Sequence, residues 1–137
     1  MNKKEITMAT IKSYTDLEQS KKLAEILPLE SADMCYLPTH IGDEHHFIAS
    51  LSPYSMCTKM TEVSIEYCTP CWSLAALLDV LSEIKPQVYT PILFPSEGKW
   101  ILQFAEYGHG NVCEVTCDNP VDACYEMILK LHELKML

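Results

Sequence analysis

Along residues 120–134 apolar side chains recur at Val121, Cys124, Met127, Ile128, Leu131 and Leu134, a three-and-four spacing that lines one face of an α-helix. Asn119 precedes the run as a cap. Pro120 suits the first helical position, where no N–H is needed, and Asp122 favours the positive helix end. The same period appears in Leu74, Leu77, Leu78, Leu81 and Ile84, ending before Pro86, with Thr69 placed to cap and Pro70 to open the helix. A shorter helix is predicted over 16–27. There Thr15-Asp16-Leu17-Glu18 has the form of a capping box, and Leu17, Ala24 and Leu27 share a face until Pro28.

Residues 62–67, 88–94, 100–107 and 112–116 read as strands, because each is rich in β-branched or aromatic residues and bounded by Pro, Gly, Asn or Asp on at least one side. Residues 33–37 offer a further strand. Gly108-His109-Gly110-Asn111 predicts a hairpin loop, since glycine and asparagine tolerate positive φ. The polar stretch 38–60, punctuated by Gly42, Pro53 and serines, reads as a long loop or a peripheral hairpin. The expected fold is α+β: a small, mainly antiparallel sheet of about four strands with two or three helices packed on one face. The 137 residues fit a single domain, 1–137, whose core buries roughly two-thirds of the unfolded surface.

A hydrophobic fraction of 48% with 21% charged residues argues against disorder. The longest apolar run, 74–78, falls far short of the roughly 18 residues of a spanning helix, and Lys3 and Lys4 are not followed by a signal-peptide core. Neither a membrane span nor export is expected. Seven cysteines, an odd number, in a chain able to build its own core fit a reducing compartment better than a disulfide framework, so the expected location is cytoplasmic.

The net charge of −9 sets 19 acidic residues against 10 basic ones, and every basic residue is lysine. Arginine supplies the bidentate fork for phosphates and guanine edges, so its absence disfavours direct nucleic-acid or anionic-membrane binding. An acidic inhibitor of a nucleic-acid enzyme would need its carboxylates gathered on one face. The longest acidic run is only Asp43-Glu44, which favours an ordinary solvated surface.

The local chemistry centres on Cys68-Thr69-Pro70-Cys71-Trp72. A thiol at a helix N-terminus has a lowered pKa, and two cysteines at this spacing can close a disulfide. A thioredoxin-like site needs a βαβ unit around the pair, however, and only one short strand precedes it; Thr90-Pro91 follows after room for little beyond one helix. Structural cysteines are the preferred reading. A zinc site would join Cys68 and Cys71 to Cys113 and Cys117, but four residues along a strand separate the latter two by about 13 Å.

His40, Asp43, Glu44, His45 and His46 form a second polar cluster, of a kind that binds metal or exchanges protons. With no His-x-x-x-His pair it reads as a solvated loop. His109 supplies turn polarity, and His132 suits a helix C-terminus. Phosphate-cradling glycine loops and the Gly-x-Ser-x-Gly elbow are missing, so no catalytic residue and no cofactor is expected. Trp72, Trp100, Tyr36, Tyr54, Tyr67 and Tyr107 could anchor an interface, although core packing is the plainer role and Trp72 the expected core anchor.

The segment 15–34, the stretch Pro70-Cys71-Trp72-Ser73-Leu74-Ala75-Ala76-Leu77-Leu78 and the stretch Asp118-Asn119-Pro120-Val121-Asp122-Ala123-Cys124-Tyr125-Glu126-Met127-Ile128 together resemble a family of small uncharacterised proteins from Bacteroides-type gut bacteria and their phages or mobile elements. In similar chains the Pro-x-Trp-Ser-Leu-Ala-Ala-Leu-Leu stretch need not follow a second cysteine, which makes Cys68 incidental. The resemblance brings no activity with it. It implies a bacterial cytoplasmic setting and a small non-enzymatic protein that acts through a protein partner or as a homo-oligomer. The alternative from the residues is a thiol redox or zinc-binding protein using Cys68 and Cys71.

Overall fold

The computed structural model describes residues 12–41, 44–50 and 68–137. In chain order these form α1 (Leu17–Ala24), a 3-10 turn (Leu29–Ser31), β1 (Met34–Ile41), β2 (Glu44–Ser50), β3 (Thr69–Cys71), α2 (Leu74–Ser82), β4 (Tyr89–Ser96), β5 (Lys99–Glu106), β6 (Gly110–Cys117) and α3 (Pro120–Glu133). The fold is α+β. Its described strands divide into two antiparallel sheets of three, ordered β2-β1-β3 and β4-β5-β6, rather than the single sheet of about four that the sequence suggested.

In the first sheet β1 is central, with Cys35 opposite Ser50 on one side and Pro70 on the other. Residues 38–41 and 44–50 thus lie on paired antiparallel strands. Residues 51–60 and the expected strand 62–67 lie outside the described residues. In the second sheet β4 turns into β5 at Glu97 and Gly98, whose φ values of 51° and 78° make a two-residue turn of the handedness that matches strand twist. β5 returns as β6 through the expected loop, with Gly108 and Gly110 at φ 80° and 86°. A register shift follows Phe104: Cys113 opposes Phe104 and Asn111 opposes Ala105, leaving Val112 as the extra residue of a β-bulge.

The helix ends show where local rules held. Asn119 caps α3, its side chain accepting from the Asp122 N–H at 2.9 Å, with Pro120 next, as the sequence predicted. α1 starts one residue later than expected: Asp16, not Thr15, is the cap, and the box closes with Gln19 instead of Glu18. The correction at α2 is larger. Thr69 and Pro70 belong to strand β3, and Ser73 caps the helix by accepting from the Ala76 N–H at 3.2 Å.

One core joins the helices to the second sheet. Leu102 and Phe104 of β5, Leu77 and Leu81 of α2, and Met127 and Ile128 of α3 are fully buried in it. Burying each such side chain contributes about 1.5–3 kcal/mol. Tyr89 stacks on Phe104 with ring centres 5.1 Å apart. Trp72 is fully buried, the anchor expected of it. Leu134, expected on the α3 stripe, is 54% exposed because it is already the residue that ends the helix.

Candidate functional site

The Cys68/Cys71 pair is not at a helix entrance, which removes the helix dipole as a reason for a reactive thiolate. Cys68 is buried in the main core with Trp72, whereas Cys71 belongs to a second small cluster with Met34 and Tyr36. Extended backbone accounts for the split, since positions three apart on a strand face opposite sides. The two cysteines are not joined to each other. Burial pushes the Cys71 thiol up from its ordinary 9.0, outweighing hydrogen bonds with Thr15, Ser20 and Tyr36 that act the other way.

The remaining cysteines are distributed through the packing. Cys113 and Cys117 sit four residues apart on β6, half-buried against the main core. Cys124 is fully buried on α3, and burial pushes its thiol up to about 12. Cys35 of β1 departs from the expectation of a chain without disulfides: it is disulfide-bonded. Among the described residues no group of three or more His, Cys, Asp or Glu side chains is placed to hold a metal ion. His40, Glu44, His45 and His46 lie on paired strands, His40 opposite His45, not in the loop the sequence suggested, and Asp43 is outside the described residues.

A buried polar node missed by sequence reasoning surrounds Thr15. Its N–H donates to the Trp72 carbonyl at 3.0 Å, and its hydroxyl accepts from the Trp72 N–H at 3.2 Å. The Ser20 hydroxyl is 2.7 Å from the Thr15 hydroxyl, and the Tyr36 hydroxyl donates to the Thr15 carbonyl at 2.6 Å. Thr15, Ser20 and Cys71 are closed to solvent, so this node joins the segment before α1 to β3 without offering a reaction site. Beside it Asp122 binds three donors: Lys12 Nζ at 2.8 Å, Gln19 Nε2 at 2.8 Å and Asn119 Nδ2 at 2.7 Å.

Open surface offers two features. A cleft of about 210 Å³ lies between Leu27, Pro28, Val80 and Ile84, with Glu83 at its edge, and is smaller than the roughly 300 Å³ at which small-molecule pockets begin. The other is the face of the second sheet turned away from the core. Strand alternation and register put Ile92 and Phe94 of β4 beside Gln103 and Ile101 of β5, with Glu114 and Thr116 of β6 beyond. None of these packs into either core cluster, and Ile92 is 43% exposed. α3 packs against β5 and β6 from the opposite side.

Charge on this face is uneven. Lys99 Nζ pairs with Asp118, while the Glu114 carboxylate accepts from Gln103 Nε2 at 3.1 Å and Asn111 Nδ2 at 3.3 Å. With Glu97 at the β4–β5 turn, three carboxylates among the described residues stand around the apolar centre against two ammonium groups, Lys99 and the Lys130 that reaches the Glu114 carbonyl. The aromatic candidates separate accordingly: Tyr36 is buried, Trp100 half-buried and Tyr107 58% exposed, while Tyr54 and Tyr67 lie outside the described residues. No helix among the described residues is long and apolar enough to cross a membrane.

Compared with protein-family models, with curated proteins and with solved structures, the chain matches none.

Proposed function

We propose that this chain is a small non-enzymatic protein that acts by binding another protein through the open face of the second sheet. The observation that carries this reading is the row Ile92, Phe94 and Ile101, held side by side on β4 and β5 yet packed into neither core cluster. Ile92 is 43% exposed and Phe94 and Ile101 are half-buried beside it, and covering what apolar surface they leave open is favoured at about 25 cal/mol per Å² removed. The buried, raised-pKa cysteines and the closed Thr15 node give a thiol-based activity less support than binding receives. The resemblance of the helical segments supplies the setting, bacterial phage or mobile-element biology, while the Cys35 disulfide counts against the reducing cytoplasm expected from the cysteine number.

The experiment places a photo-crosslinking amino acid at position 92 and, as a control, at the exposed position 79 on α2. A discrete adduct is expected from position 92 and not from 79, and Ile101→Glu should abolish it while circular dichroism stays native. Equal labelling from both positions, or an adduct indifferent to Ile101→Glu, refutes the reading.

A further inference from the structure

A partner can reach this sheet by adding a strand to an edge or by covering the face, and the two edges are both guarded. β4 carries Pro91 and Pro95, which have no N–H to give an incoming strand. On β6 the Lys130 ammonium reaches over from α3 and donates to the Glu114 carbonyl at 3.3 Å, occupying an acceptor that a new strand would use. The bulge at Val112 further breaks the regular ladder there. Edge addition is thus obstructed, and the face remains.

The rim then selects what covers it. Among the described residues Glu97, Glu114 and Asp118 outnumber Lys99 and Lys130 around the Ile92, Phe94 and Ile101 centre, and Lys99 is already paired with Asp118. A second copy would bring the same excess of carboxylate and a further net charge of −9, so two such faces repel. Resting on the binding reading above, we infer that the partner is a protein segment with aliphatic or aromatic anchors flanked by lysine or arginine, docked face-on. The anchors bury against Ile92 and Ile101. The basic residues answer Glu114 and Glu97, setting association rate and choice of partner more than the total affinity.

Two synthetic peptides of equal length, alternating leucine or phenylalanine with lysine in one and with glutamate in the other, test this by fluorescence anisotropy. The lysine peptide is expected to bind at least about tenfold more tightly at low ionic strength, with the advantage shrinking as the Debye length falls to about 3 Å at 1 M salt. A −9 chain attracts any cationic peptide, so specificity is read from variants. Glu114→Gln should narrow the preference, Ile101→Thr should weaken the lysine peptide, and Glu30→Gln, remote on the 3-10 turn, should do neither. Equal or reversed peptide preference overturns the inference while leaving face binding intact. So does a dimer in sedimentation that Ile101→Thr dissolves, because it makes a second copy the occupant. If neither peptide binds and position 92 gives no adduct, the binding reading itself falls.

Discussion

Thr15 holds the Trp72 peptide from both sides: its N–H donates to the Trp72 carbonyl at 3.0 Å and its hydroxyl accepts the Trp72 N–H at 3.2 Å. The pair are 57 residues apart in sequence and fully buried. Thr15→Val keeps the shape and deletes the hydroxyl, leaving the Trp72 N–H without an acceptor. A loss of about 1–3 kcal/mol in urea unfolding is expected, with Thr15→Ser retaining most of the stability. Equal losses in both variants would show that the methyl, not the hydroxyl, matters.

Asp122 governs the acid side of stability. Partial burial pushes its carboxyl up, but hydrogen bonds from Lys12, Gln19 and Asn119 outweigh that and hold it below its ordinary 3.8. A depressed folded pKa gives stability that is present above the unfolded pKa and lost as pH falls through the folded one. Asp122→Asn should therefore cost about 0.5–1 kcal/mol near pH 7 and flatten the decline below pH 4. Unfolding midpoints measured from pH 7 to pH 2 check this, and an unchanged acid slope would count against it.

Cys124 acts at the alkaline end. Its thiol is raised from 9.0 to about 12 by burial, with the nearby Cys117 adding to the effect. Below pH 9 folded and unfolded chains both keep the proton. Above it the unfolded chain ionises first, so the stability tied to this thiol drains away between pH 9 and about 12. Cys71 and Tyr36, also raised, contribute in the same direction. Cys124→Ala should reduce the slope of the unfolding midpoint across that window. In native protein at pH 8, a thiol reagent should modify Cys113 and Cys117 well before Cys71 and Cys124.

Glu97 is an L-residue held at φ 51° beside Gly98 in the β4–β5 turn. Glutamate has no local compensation for the left-handed region, whereas asparagine hydrogen-bonds there readily. Glu97→Asn is expected to stabilise the fold by about 0.5–1 kcal/mol, read as a higher thermal midpoint. A lower midpoint would mean that the glutamate makes a compensating contact.

The guarded edges give a solution prediction. Replacing Pro91 and Pro95 together with valine restores two N–H groups on edge strand β4 and should bring concentration-dependent light scattering absent from the parent chain. Lys130→Ala should do the same more weakly at β6. If neither variant associates, the edges are shielded by something other than these residues.

Much of this structure was legible locally. α3 could be read from Asn119, Pro120 and the Val121 to Leu131 stripe because a cap, a first-position proline and a helical period are short-range signals. The three strands of the second sheet were readable from their β-branched and aromatic content, and their glycine loop from φ tolerance. The Thr15 and Thr69 caps failed for one reason: in each case a long-range partner took priority. Thr15 is drawn to Trp72, and Thr69 to Tyr36 across β3 and β1, so the helices begin at the next residues able to cap.

The sequence by itself determined an α+β chain with no arginine, an acidic balance, three amphipathic helices and cysteines at apolar positions. Tertiary structure alone decided that the described strands form two sheets, that Cys68 and Cys71 part into separate clusters, and that Ile92, Phe94 and Ile101 share the face turned away from the core. Period and propensity act over a few residues. Register and layer packing depend on which distant segments meet, and at Cys-Thr-Pro-Cys-Trp that meeting turned an apparent helix entrance into a strand.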